Sequence, residues 1–99
     1  MAAKLLDIHP SALAELKSAI GWYREQNETV AHKFVAAVDR AIDLILASPQ
    51  RWPIGDLETR KLVLQRFPYA IFYQEKRSVV TILAVAHGHR QPGYWKDRL

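Results

Sequence analysis

Apolar residues recur along this chain with two different periods, and the change of period divides it. After His9-Pro10-Ser11, residues Leu13, Leu16, Ile20 and Tyr23 fall three or four apart, the spacing of one helix face. Pro10 suits a first turn, where its missing N–H has no helical partner to lose. Gln26-Asn27-Glu28 breaks the pattern, and Asn27 can cap a second helix. A longer stripe comes next: Ala31, Phe34, Val35, Val38, Ile42, Ile45 and Leu46, with Lys33, Asp39, Arg40 and Asp43 elsewhere on the surface. Ser48-Pro49 ends it, because proline disfavours helical geometry in the residue before it. The short gap between the stripes predicts an antiparallel helical hairpin.

Beyond a loop at 50–58, with Trp52-Pro53 and Gly55, the runs become strand-like at 60–67, 69–73 and 78–86. Residues 4–8 read as a short strand before the first helix. Short polar connections predict hairpins and an antiparallel meander. The expected order is β-α-α-β-β-β: a single α+β domain over 1–99, in two layers, with the helical hairpin packed on an antiparallel sheet. Strict alternation in the last strand puts Val79, Thr81, Leu83 and Val85 on one face and Val80, Ile82, Ala84 and Ala86 on the other. Both faces are apolar, so this strand should be central and covered twice. Two helices cover one face. The C-terminal tail, a second copy or a partner must cover the other.

Composition refines this picture. A chain of 99 residues, 49% hydrophobic, can hold one core, and its lack of cysteine excludes disulfides and thiolate metal sites. Asp7 interrupts the apolar start, which does not read as a signal peptide, and the uncharged stretch 78–88 is too short to span a bilayer. A soluble, cytoplasmic protein is expected. Residues 1–50 carry five Lys/Arg against six Asp/Glu, whereas residues 51–99 carry nine against four. The basic C-terminal half suits an anionic partner, and equally a solvated surface.

Chemistry concentrates in one stretch, Ala84-Val85-Ala86-His87-Gly88-His89-Arg90-Gln91-Pro92-Gly93-Tyr94-Trp95. His87 and His89, two apart, share a side of an extended chain, but a metal site needs three or four ligands, and His9 and His32 lie far off in sequence. No metal or other cofactor is therefore expected. His87, His89, Arg90 and Tyr94, with Arg60, Lys61 and Arg66 nearby in sequence order, have the side-chain types of a metal-free ribonuclease: a general base, a general acid and cations for a crowded phosphate. Strand ends also carry polar groups for plainer reasons, and His87 can simply satisfy backbone at the sheet edge. Tyr94 can stack on a base or pack on the domain. Packing is the reading for Trp95, and for Trp22 and Trp52 beside the helices.

Taken in order, Arg66-Phe67-Pro68-Tyr69 with Ile71 and Tyr73, then Ala84 to His87, then Arg90, Pro92, Tyr94 and Trp95 resemble the signature of the RelE/ParE superfamily of type II toxins, in its ParE-like branch. The resemblance covers the whole β-α-α-β-β-β order. It implies a growth-inhibiting toxin whose partner is a cognate antitoxin, in a hetero-oligomer, with a disordered antitoxin segment wrapped over the apolar sheet face at Leu83 and Val85. ParE-like toxins are associated with DNA gyrase. RelE-like toxins cleave mRNA on the ribosome with arginine, lysine and a C-terminal tyrosine. The RelE-like pattern places arginine after the tyrosine of the third strand and close after the last strand. Here those positions hold Ala70 and Gly88, with Arg90 two residues on, while Tyr94 matches. By this resemblance Arg60, Lys61, Arg66, Arg90 and Tyr94 are the target-binding candidates. Arg66, His87, Arg90 and Tyr94 are the candidates for catalysis in the ribonuclease alternative, and a non-toxic binding module is the third possibility.

Overall fold

The computed structural model describes residues 5–99. Lys4, the expected start of the first strand, lies outside them. Strand β1 (Leu5–Ile8) leads into helix α1 (Pro10–Gln26), and helix α2 (Glu28–Ala47) comes after Asn27 alone. Asn27 caps as expected: its side-chain oxygen accepts the N–H groups of Thr29 and Val30 at 2.8 and 3.2 Å. His9 caps α1 in the same way, its Nδ1 accepting from the Ser11 N–H at 3.1 Å. Strands β2 (Arg60–Val63), β3 (Tyr69–Lys76) and β4 (Val79–His87) complete the sheet. The turn between β3 and β4 is the two-residue Arg77-Ser78 with φ of 54° and 65°, the primed geometry that matches strand twist.

The sheet order is β1-β4-β3-β2. It is mostly antiparallel, as expected, but not wholly: β1 pairs parallel to β4, with Leu5 opposite Val79 and Ile8 opposite Ile82. A parallel pair needs a long crossover, and the helical hairpin supplies it. β2 also ends four residues earlier than expected, because the chain bends at 65–68 around Pro68.

The helices cover one face. Phe34, Val38, Ala41 and Ile45 of α2 and Ala12 and Ala19 of α1 pack on Leu62, Ile71, Tyr73, Val80, Ile82 and Val85. The α1 stripe is rotated from the expected one. Ala12 and Ala19 are buried, and Leu13 is 37% exposed. Small side chains there let α1 lie close to β4. Trp22, expected to pack beside the helices, is 57% exposed and touches Tyr23 edge-on, whereas Trp52 packs against the core. A second, smaller cluster fills the opposite face of the sheet: Leu83, Ala84, Ala86 and Trp95, with Phe72 and Tyr94 against them. The C-terminal tail therefore provides the second cover.

One irregularity sets the rest. Phe72 pairs with Ala84 and Tyr73 with Ile82, so Leu83 is an extra residue with no partner on β3, a β-bulge. The bulge reverses the alternation midway along β4. Val80 and Ile82 face the helices before it and Val85 after it, while Leu83 joins Ala84 and Ala86 beneath the tail. Leu83 and Val85, expected on one face, lie on opposite faces, and both are buried, at 2% and 4% exposure.

Candidate functional site

β1 is short, and its end opens a gap. The His9 N–H donates to the Ile82 carbonyl at 2.9 Å, and there the chain turns into α1. Past that point β4 has no strand on its outer side. The bulge leaves the Leu83 carbonyl and the Val85 N–H on that bare edge, and buried backbone groups must find partners. Side chains provide them. Glu15, one turn past Ala12 on α1, accepts the Val85 N–H at 3.1 Å. Arg98, from the tail, donates to the Leu83 carbonyl at 2.9 Å.

These two side chains also bind each other. Arg98 Nη1 and Nη2 donate to Glu15 Oε1 and Oε2 at 2.9 and 3.1 Å, a two-pronged pair with side chains only 13% and 21% exposed. The Tyr94 hydroxyl donates to Glu15 Oε2 at 2.7 Å. One carboxylate thus accepts four hydrogen bonds. Burial alone would raise its pKa, but the hydrogen bonds from Arg98, Tyr94 and the Val85 N–H, with the Arg98 charge, outweigh that and hold it below the usual 4.5. The Tyr94 phenol is pushed up to about 12, first by burial and then by the Glu15 carboxylate that holds its proton.

Tyr94 carries Arg90 in turn. The Arg90 guanidinium lies over the Tyr94 ring at 4.1 Å and that of Arg98 at 5.0 Å. A groove of about 420 Å³ runs between α1 and this wall, lined by Trp22, Tyr69, Val85, His87, Arg90 and Tyr94 among others. A smaller hollow of about 220 Å³ opens on the tail side of the sheet, lined by Lys61, Phe72 and Trp95 and again by His87, Arg90 and Tyr94. Those last three form the partition between the two. The His87 ring meets Tyr69 edge-on at 5.1 Å and stacks on His89 at 4.9 Å. Its Nδ1 accepts the His89 N–H at 3.1 Å, and among the described residues no hydrogen bond engages its Nε2. Gly93, at φ of 75°, lets the tail turn back; a Cβ there would meet the Lys96 side chain at 2.7 Å.

Of the residues expected from sequence, the structure brings His87, Arg90 and Tyr94 together, with Lys61 across the smaller hollow at 5.9 Å from the Phe72 ring. It does not bring Arg60 or Arg66 to them. Arg60 donates to the carbonyls of Gln50 and Trp52 and so holds the 50–58 loop, a structural task that the sequence did not suggest. Arg66 is exposed in the bend at 65–68 and lines neither hollow. Trp95 packs as expected, 5.2 Å from Phe72. Sequence reasoning passes over Glu15 and Arg98, because a glutamate on a helix and an arginine near a tail look like solvated charge. The available signal is that Glu15 sits beside Leu16 and between Ala12 and Ala19, on the apolar side of α1. Among the described residues no three His, Cys, Asp or Glu groups converge to hold a metal ion, and no helix is long and apolar enough to cross a membrane.

Four tyrosines report on this packing. Tyr73, whose hydroxyl donates to the Pro49 carbonyl at 2.7 Å, is also pushed up to about 12 by burial, and Tyr23 and Tyr69 are raised for the same reason. A phenol raised in the folded state stabilises fully below its unfolded value of about 10, and that contribution is lost as pH climbs towards 12. Glu15 works the other way, stabilising above about 4.5 and losing its contribution as pH falls through its lowered folded value. Ultraviolet titration of the folded protein should therefore show no tyrosine half-ionised at pH 10, and all four there in urea. A native phenol ionising at the ordinary value would contradict this packing.

Two helices packed on a four-stranded, mostly antiparallel sheet make an α+β fold like that of ParE and RelE toxins. The sequence profile of the family described as "ParE toxin of type II toxin-antitoxin system, parDE" matches residues 6–92, and the chain belongs to that family. Among solved structures it is similar to a chain of the chromosomal ParDE toxin–antitoxin system from P. aeruginosa, with a TM-score of 0.74 at 19% identity over 86% of this chain and 96% of that one. It is also similar to a double arginine-to-alanine variant of E. coli toxin RelE in the free state, with a TM-score of 0.67 at 23% identity over 100% of this chain and 99% of that one. At these identities the likeness is one of fold. A comparison with curated proteins found no match.

Proposed function

We propose that this toxin inhibits growth by binding DNA gyrase through the wall formed by His87, Arg90 and Tyr94, with Lys61 beside it, and that a cognate antitoxin neutralises it in the cytoplasm. The observation that carries binding over cleavage is the Tyr94 hydroxyl, turned inward onto an ionised carboxylate. With its phenol at about 12 it is no base at neutral pH. Glu15 is tied up by Arg98. What remains beside the wall is the stacked pair of imidazoles His87 and His89, with ring centres 4.9 Å apart, where cleavage of a phosphodiester needs a base and an acid acting on separate oxygens. Ala70, half-buried opposite Ala86, stands where the ribonuclease pattern has arginine. Among the described residues no carboxylate pairs with Arg90 or Lys61, a condition they share with Lys17, Lys33, Arg40, Arg51, Arg66 and Arg77, whereas Lys96 has Asp56 at 3.7 Å. The free cations suit an acidic surface on the target, and an acidic antitoxin segment would cover them too. Leu83 and Val85 lie under the tail and under α1, so an antitoxin reaches them only by lifting those elements.

Production without antitoxin should slow growth with DNA-damage signalling and filamentation. Arg90→Ala should raise the inducer dose needed for half-inhibition about tenfold or more, as loss of an interface hot spot does, with the Tm nearly unchanged. Early arrest of protein synthesis with codon-specific mRNA ends would instead establish the ribonuclease reading.

A further inference from the structure

We infer that Glu15 is a positioning residue: anchored on the bare edge of β4, its carboxylate fixes the Tyr94 ring and, through that ring, holds the Arg90 guanidinium at the groove. The inference rests on the proposed role of the wall and adds what makes that wall rigid.

Arg90 is exposed, on the turn after β4, and carries a long side chain that water alone would leave mobile. The contact that holds it is the face of Tyr94, at 4.1 Å. A ring can hold a cation in place only if the ring itself is fixed, and Tyr94 stands on a tail without strand pairing. Its hydroxyl is fixed by Glu15 at 2.7 Å. Glu15 in turn cannot swing, because it accepts the Val85 N–H and both prongs of Arg98, which is itself tied to the Leu83 carbonyl. The order of dependence runs from strand edge to carboxylate to phenol to guanidinium. Each link is a directional hydrogen bond or a face contact, so an error at Glu15 passes outward undiminished. Preorganisation of this kind removes the ordering cost of binding from the encounter itself. A carboxylate is the suitable group because it accepts on both oxygens and attracts Arg98; an amide of the same shape turns a donor towards Tyr94 or Arg98.

The competing explanation is that Glu15 only stabilises the fold. Three variants separate the two, each purified as the full chain and each induced in cells: Glu15→Gln, Tyr94→Phe and Arg90→Ala. Val38→Ala, a core truncation of α2 remote from the wall, gives a control for plain destabilisation. In the wild type, the side-chain protons of Arg90 should show the upfield ring-current shift of a group lying on an aromatic face. We expect Glu15→Gln and Tyr94→Phe to remove most of that shift. Both should lose about tenfold in toxicity, more than Val38→Ala does at equal or greater loss of Tm. Glu15→Gln combined with Arg90→Ala should be no weaker than Arg90→Ala alone, as expected of residues acting in series. If the ring-current shift survives in Glu15→Gln and Tyr94→Phe, the inference is overturned. It is overturned alone if Arg90→Ala is inert while both other variants stay toxic, or lose no more than Val38→Ala does. If Arg90→Ala keeps full toxicity, the reading of the wall fails first and takes the inference with it.

Discussion

Phe34→Ala is expected to cost about 3–5 kcal/mol, the usual range for truncating a fully buried phenylalanine. Phe34 has no exposed surface and stands at the centre of an aromatic cluster, 5.0 Å from Tyr23 and 5.2 Å from both Phe67 and Tyr69. Those three rings come from α1, the bend at 65–68 and β3. They cannot all close on an alanine, so a cavity remains. Against a total of about 5–15 kcal/mol the loss is a large fraction, and the Tm should fall by about 12 °C or more. The effect extends to the wall, because Tyr69 braces the His87 ring edge-on. Phe34→Leu should restore much of the stability, since it refills most of the volume. Urea denaturation decides the matter: an unchanged midpoint for Phe34→Ala would mean that the helical hairpin does not seat on this cluster.

Leu83→Glu should release the tail rather than unfold the domain, and there it should part company with Val85→Asp. Leu83 lies beneath Trp95, whose indole N–H is buried without a hydrogen-bond partner, so this seat is held by apolar contact. A carboxylate on that surface would be buried and unpaired, at a cost of about 3–5 kcal/mol if the tail stayed down. Lifting the tail avoids the penalty. Trypsin should then cut rapidly at Arg90, Lys96 and Arg98 while the helices keep their protection. Val85 faces the helices, beside Glu15, so Val85→Asp places a second carboxylate in the main core with no element free to move aside. It should abolish cooperative melting at growth temperature. Identical behaviour of the two variants would show that the bulge does not divide these residues between faces.

Much of this architecture is legible in the chain itself. Caps, breakers and periods are local, so the helix of residues 28–47, its Asn27 cap and the stop before Pro49 can be read off directly. The features that escape such a reading depend on pairs distant in sequence. The parallel seat of β1 is decided by which edge of β4 is free. The bulge at Leu83 leaves an unbroken run of apolar residues, so strict alternation is the natural expectation, and it fails halfway along. Of the site, the cluster His87, Arg90 and Tyr94 is visible as a short run of chemistry after a strand. Glu15 and Arg98, 83 residues apart, are not, because only the folded chain shows that they meet.

The parallel pairing of β1 with β4 also fixes when the toxin can come into being. Leu5 must find Val79, and Glu15 must find Arg98, so the first and last segments of the chain are joined before either is secure. Contacts spanning nearly the whole length are slow to form, because loop closure precedes their reward. The central strand of the sheet is also among the last parts to be synthesised. During translation at roughly 5–20 residues per second, the helices emerge first with an apolar face and nothing to pack it against. A chain that stops short of Tyr94 or Arg98 lacks the wall, which assembles only after those residues have been made. The wall therefore forms in one step, once residues 90–98 can reach Glu15, and not gradually as the chain grows.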